Sequence, residues 1–276
     1  MDDDLNIDWK TVNSFGQEWK KFNVFEDKDI STVGRDYFDL VPLELLNRES
    51  QVLDIGCGSG RWAKFLQDKV GYIEGIDPSA AALSAAYELR NYKNIRISIA
   101  QVSSIPFKKE SFDLVYSLGV LHHIPDTERA LKNCVDMVKP GGFMLLYLYY
   151  NLDNRTIPYK MLFQLSDRLR RIISRLPGTS KKFVCELVAY LVYMPLILFS
   201  QLLELLGLKK LSQQVPLSYY KKTSLKIIRN DALDRFGTPL EQRFSKKKIR
   251  EMMNNAGLRN IVFSKNAPYW HAIGQK

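Results

Sequence analysis

The stretch VLDIGCGSGRWA, residues 52–63, constrains the fold more than any other part of the chain. A short apolar run ends in Asp54, glycines follow at positions 56, 58 and 60, and a helix-like segment begins. Glycine permits a tight turn and lets a ligand approach the backbone closely. A buried strand that turns through glycines into a helix is how a parallel βαβ unit opens. A second strand-like run, YIEGID, ends in Asp77. An acidic residue about twenty positions beyond such a turn can accept hydrogen bonds from ribose hydroxyls, so turn and acid together point to an adenosine-type ligand. The glycine turn alone carries less, because dinucleotide-binding folds use the same chemistry.

The alternation continues. NIRISIA, FDLVYSL and GGFMLLYLYY read as further strands, SAAALSAAYELR and PDTERALKNCVDMV as helices, and KPGG stops the latter. After Tyr150 the pattern becomes helical and basic, punctuated by Pro158, Pro177, Pro195 and Pro216. SKKKIREMMNNAGL then reads as a helix, and NIVFSK and YWHAIG as two closing strands. The expectation is an α/β, Rossmann-like, doubly wound and mostly parallel seven-stranded sheet with a helical insertion. Its parts are an N-terminal helical cap (1–47), a core (48–150), the insertion (151–240) and a closing helix and strand pair (241–276).

The motifs VLDIGCGSG, GIDPS, IPF, FDLVYSLGVLHHIPD and VKPGG occur in that order. The chain therefore resembles the class I S-adenosylmethionine-dependent methyltransferases, of the sort that includes the ubiquinone and menaquinone methyltransferases. The resemblance implies S-adenosyl-L-methionine as cofactor. It implies that Gly56, Cys57, Gly58 and Gly60 form the loop under the methionine part, with Asp54 orienting that loop and the ammonium. Asp77 and the following Pro78 would lie at the ribose, Gln101 and Val102 at the adenine, and Leu118 at the methionine end. Many relatives carry Asp where this chain has Gln101, whose amide oxygen can accept the same bond without charge. Trp19, Phe22 and Tyr37 would wall the pocket from the cap, or would simply pack a helix pair.

Methyl transfer chiefly needs an acceptor held in line, and a hydroxyl or carbon acceptor must also lose a proton. His122 and His123 follow the fourth strand and are candidate bases, since histidine titrates near neutrality. The alternative is that one packs under the cofactor and the other caps the next helix. Tyr150, Arg155, Asp231, Asp234, Arg235 and Arg243 are candidate acceptor contacts. Arginine suits carboxylate or phosphate, though the same residues can equally staple the insertion to the core.

Charge is divided unevenly. Residues 1–150 hold 17 Lys and Arg against 22 Asp and Glu, while 151–276 hold 23 against 8. Such a basic half expects an anionic partner. A nucleic-acid methyltransferase is one alternative, but SLGV after the fourth strand lacks the Pro-Pro-aromatic stretch of amino-methylating DNA enzymes, and no RNA-binding module is appended. A non-catalytic cofactor-binding scaffold is another. Cys57, Cys134 and Cys185 are too scattered for a disulfide framework or a zinc site, and the acidic start MDDDLNIDWK lacks a secretory signal's pattern, so a cytoplasmic location is expected.

The run LVAYLVYMPLILFSQLL, residues 187–203, carries no charge. A spanning helix needs about twenty apolar residues, and Pro195 and Gln201 interrupt this one. The last strands come after it, so a single crossing would split one sheet across the membrane. Upstream, Leu162, Leu165, Leu169, Ile172, Ile173 and Leu176 share one helix face. Arg168, Arg170, Arg171 and Arg175 stand around that face and are expected to be exposed. Two readings stand. One is a lid or homodimer interface. The other is a re-entrant or surface-lying helix in peripheral contact with an anionic membrane at its inner face, near a small-molecule, saccharide or lipid-linked acceptor.

Overall fold

The computed structural model describes residues 6–19, 27–153, 156–266 and 270–276. The strands are β1 (Gln51–Ile55), β2 (Tyr72–Asp77), β3 (Ile95–Ile99), β4 (Phe112–Leu118), β5 (Val138–Tyr147), β6 (Arg259–Phe263) and β7 (His271–Gln275). They form one seven-stranded sheet in the order β3-β2-β1-β4-β5-β7-β6. The first five are parallel, and β7 runs antiparallel to both β5 and β6. The chain order reverses between β1 and β4, so the crevice beyond their C-terminal ends is the switch point at which open α/β sheets bind ligands.

Burial explains the strands. β1 and β4 are central and almost wholly closed from solvent, and their sequences are correspondingly near-continuous apolar runs. Helices cover both faces: α1 (Trp9–Trp19), α2 (Asp27–Tyr37), α3 (Arg61–Leu66), α4 (Ala81–Glu88) and α5 (Thr127–Met137) before β5, and α11 (Lys246–Asn255) before β6. Asp126 caps α5 by accepting from the Arg129 N–H at 2.9 Å, and Ser245 caps α11 by accepting from Lys248 N–H at 3.0 Å. The KPGG stop is part of β5's irregular start. The pairing with β4 jumps from Phe112↔Val138 to Leu114↔Phe143, with Gly141 at φ +81° absorbing the detour.

The described chain divides into two units. One takes residues up to 154 and from 240 onward and contains the sheet; the other is 155–239. The second unit is helical: α6 (Ile157–Ile173), α7 (Gly178–Val188), α8 (Met194–Leu205), α9 (Lys209–Gln214) and α10 (Leu225–Gly237). Its core joins Ile173, Cys185, Ala189, Tyr193, Ile197 and Phe236. α7 and α8 are one continuous 28-residue helix, Gly178–Leu205. Pro195 does not break it. A proline lacks the N–H that would reach four residues back and its ring crowds that carbonyl; a wide π turn over Ala189–Tyr193 precedes it and accommodates both defects.

One expectation is overturned here. Arg170, grouped in sequence with exposed arginines, is buried, 3% exposed. Its Nε pairs with Asp167 at 2.8 Å and its Nη1 donates to the Thr238 carbonyl at 2.9 Å. The α6 face also splits. Ile173 turns into the core while Leu162, Leu165, Leu169 and Ile172 face outward.

Candidate active site

The glycine turn sits directly beyond β1. Gly56, Gly58 and Gly60 all take positive φ, +77°, +52° and +77°. The N–H groups of Gly56 and Cys57 donate to the Ile76 carbonyl at 2.8 and 3.0 Å, tying the loop to the end of β2. Asp77 completes the tie: its Oδ2 accepts from Gly58 N–H at 3.0 Å, and its Oδ1 from the N–H and hydroxyl of Ser79 at 2.8 and 2.6 Å. A carboxylate offers about four acceptor positions, so one remains for a ligand hydroxyl. Asp77→Ala removes a hinge between two loops as well as that acceptor. Affinity for the cofactor is expected to fall ten- to a hundredfold, read by calorimetry; unchanged affinity in a folded variant rejects the ribose role.

Asp54 lies at the floor, paired in register with Tyr116 of β4. It is 1% exposed, and its Oδ2 has no hydrogen-bond partner among the described residues. Burial pushes its carboxyl up to about 8, against the pull of the Tyr116 hydroxyl and with Asp77 adding repulsion. Between about pH 4 and 8 the folded chain therefore holds a proton there that the unfolded chain has lost, so stability falls as pH rises through that window. A buried carboxyl with a vacant oxygen fits an ammonium group. Binding a cationic amine there at pH 7 is expected to expel the proton. Calorimetry in two buffers of different ionisation heat should show cofactor binding coupled to proton release, and Asp54→Asn should remove the coupling. Identical heats in both buffers for the unmodified protein rule it out.

Cys57 is buried, and its thiol is pushed far up by burial and by Asp54 and Asp77, which makes it inert. Pro78 is half-buried between Asp77 and Ser79. Gln101 forms a short bridge with Ser104, and the carbonyl of Val102 accepts from Asn133 at 3.1 Å. Next in sequence, the Ser103 hydroxyl is buried without a partner among the described residues, which residue type alone did not reveal. Leu118 is buried at the end of β4.

The cap lies over the same edge. A Cβ on Gly16 of α1 would stand 3.3 Å from Ser79. Phe15 of α1 packs on His123 with ring centroids 4.8 Å apart, and Thr11 Oγ1 accepts from Leu240 N–H at 3.1 Å. α1 thus reaches from the end of β2 to the end of β4, across the crevice. Tyr37 of α2 packs on Trp62 and Tyr147 at 4.8 and 5.4 Å. Trp19 ends α1, but its side chain lies outside the described residues, as do Phe22 and Arg155.

His122 is fully buried and stacks on Tyr149 at 3.9 Å, yet neither ring nitrogen has a hydrogen-bond partner among the described residues. Burial, with His123 and Arg243 nearby, holds its pKa well below the usual histidine value, so the ring is neutral. His123 is anchored instead, its Nδ1 2.6 Å from the Leu240 carbonyl. Arg243 pairs with Glu241 at 2.6 Å, donates to the Tyr150 carbonyl at 3.2 Å and lies over the Tyr149 ring at 5.0 Å. Gln242 donates through Nε2 to the Ile124 carbonyl at 2.7 Å, and its own N–H donates to His122 O at 3.0 Å. Asp231, Asp234 and Arg235 have partners within the helical unit: the Tyr220 hydroxyl at 2.7 Å, the Thr238 hydroxyl at 3.3 Å, and the Phe163 ring at 4.4 Å. Tyr147, Tyr149, Glu241 and Gln242 join this cluster, and sequence reasoning passed over them; the alternation in YLYY puts both tyrosines on one strand face and was the available clue.

Part of the chain is similar to known proteins. Residues 53–146 match a family described as a methyltransferase domain. Those residues form a class I S-adenosylmethionine-dependent methyltransferase domain. Over 102 residues the chain is 38% identical to phosphoethanolamine N-methyltransferase 2 of Caenorhabditis elegans, which covers 36% of this chain and 23% of that one. Over 139 residues it is 28% identical to the ubiquinone biosynthesis O-methyltransferase of Pseudomonas fluorescens (strain Pf0-1), covering 49% and 58%. The chain thus spans less than two thirds of these relatives. Among solved structures, phosphoethanolamine N-methyltransferase 2 of Haemonchus contortus, in complex with S-adenosyl-L-methionine, superposes with a TM-score of 0.50 at 17% identity, over 92% of this chain and 43% of that one. That likeness shows the fold. In this methyltransferase domain the glycine turn, Asp54 and Asp77 occupy one end of adjoining parallel strands, and the aromatic and histidine cluster stands beside them.

Proposed function

We propose that the protein transfers a methyl group from S-adenosylmethionine to a small, lipid-linked acceptor that carries an anionic group. The observation that carries the reading is Asp54: a buried carboxyl with a vacant oxygen beneath a glycine loop fits a cofactor bearing an ammonium. When bound, that cofactor supplies an electrophilic methyl on a sulfonium. The chain's own part is to hold, align and desolvate. Asp54 takes the ammonium, Asp77 the ribose, and the segment around Gln101, Val102 and Ser103 the adenine. α1 closes the crevice from water.

His122 removes the acceptor proton where the acceptor requires it. Buried histidines normally satisfy their ring nitrogens, and this one leaves both without a partner among the described residues. The names of the two relatives, one acting on phosphoethanolamine and one in ubiquinone biosynthesis, support an acceptor that is small. The apolar and basic character of the helical unit supports one tied to lipid and negatively charged. The protein acts in the cytoplasm in this reading.

Incubation with cofactor labelled in its methyl group and a fractionated cell extract tests the proposal. Label should enter the organic-soluble fraction. Label confined to RNA or protein overturns the acceptor class, and cofactor binding without any turnover overturns the activity.

A further inference from the structure

The helical unit carries a charge and an exposed apolar surface that holding the cofactor does not require. Residues 155–239 hold 15 Lys and Arg against 5 Asp and Glu, so the entire +10 of the chain resides there. The same unit leaves two long apolar faces in solvent. On α6, Ile157, Met161, Leu165, Leu169 and Ile172 follow helical spacing and are 49–74% exposed. On the continuous helix, Cys185, Ala189, Tyr193 and Ile197 face the unit's core, while Phe183, Leu187, Leu191, Leu198, Leu202 and Leu205 lie away from it, each at least 40% exposed. Single exposed apolar residues need no explanation, but contiguous faces mark a contact.

We infer that this unit is a membrane-docking module that lies in the surface of an anionic bilayer. Two features choose that occupant. Exposed cations border the apolar faces: Arg168 and Arg175 beside the α6 stripe, Lys182 beside Phe183, and Lys209 and Lys210 after Leu205. They suit lipid phosphates at an anionic surface. The same charge opposes a second copy, since two such faces would meet +10 against +10. A single crossing of the bilayer is excluded although the helix is long and apolar enough. β5 precedes the unit and β7 follows it, and the two pair directly, Tyr147↔His271. Both ends of the unit therefore stand on one side, and the helices lie at the interface with their apolar faces turned toward the acyl chains.

Flotation of the full chain with vesicles tests this without cofactor or acceptor, so it stands or falls apart from the proposed reaction. At low salt the protein should bind phosphatidylcholine vesicles containing about 30% phosphatidylglycerol at least tenfold more tightly than pure phosphatidylcholine, and salt should weaken that binding. The pairs Leu165→Glu with Leu169→Glu, and Leu198→Glu with Leu202→Glu, sit at exposed positions. They should lose binding at least tenfold while circular dichroism and cofactor affinity stay unchanged. Arg168→Gln, Arg175→Gln and Lys182→Gln together should weaken the preference for anionic vesicles several-fold. A wild-type protein that ignores both vesicle types overturns the inference. So does sedimentation equilibrium showing a dimer that the Glu pairs dissociate.

Discussion

Gly56→Ala is expected to destabilise the protein by about 2–5 kcal/mol and to abolish measurable cofactor binding. Two costs combine. Gly56 sits at φ +77°, a conformation that costs an L-residue roughly 1–2 kcal/mol. A Cβ there would also stand 2.5 Å from both γ-methyls of Val120, and a β-branched side chain cannot swing away. Overpacking of this kind costs about 1–3 kcal/mol. The two are separable. Val120→Ala removes the two γ-methyls and leaves only the Val120 Cβ, at 2.9 Å, so the double variant should recover part of the stability in urea unfolding while the backbone strain remains. A single variant as stable as the parent contradicts this geometry of the turn.

His122→Phe should cut turnover at least a hundredfold while cofactor affinity holds. Phenylalanine preserves the ring's stack on Tyr149 and removes two buried nitrogens that have no partner among the described residues. Stability should thus stay level or rise, since an unsatisfied buried group costs about 1–3 kcal/mol. Lost activity in a protein as stable as the parent is a signature that packing alone cannot produce. Activity retained by the Phe variant means that His122 only fills space. The pH profile offers a second reading: with the imidazole already neutral through its depressed pKa, the acid limb should fall below the ordinary histidine range.

Much of the sheet was legible because its signals are local. VLDIG, YIEGID and FDLVYSL are apolar runs of strand length, closed by Gly or Asp or running into a glycine, and each became a strand in the expected order. The glycine turn was legible for the same reason, since three positive-φ positions need three glycines. What escaped depends on distant partners. Nothing in RLRRII distinguishes Arg170 from Arg168 or Arg171 until Thr238 supplies a carbonyl from across the unit. DALDRFGTPLEQRF reads as one charged segment, yet its first part stays with the helical unit and residues from Leu240 join the sheet, where Gln242 and Arg243 meet His122 and Tyr149. Pro195 looked like an interruption because a π turn is a response to packing that no propensity encodes.

The chain leaves and re-enters the sheet unit at a single seam. Phe244 N–H donates to the Tyr149 carbonyl at 2.9 Å, and Asn151 N–H donates to the Phe244 carbonyl at 3.0 Å. Folding must nevertheless bring β5 and β7 together across roughly 120 intervening positions, and loop closure grows with the logarithm of that length. If the helices between condense first through their own local contacts, the flexible gap shrinks to roughly 40 positions, which lowers the closure cost by about 1 kcal/mol. The order of assembly is then a matter of contour length: a helical segment that folds early acts as a splint, handing the last two strands to a sheet that would otherwise wait for them.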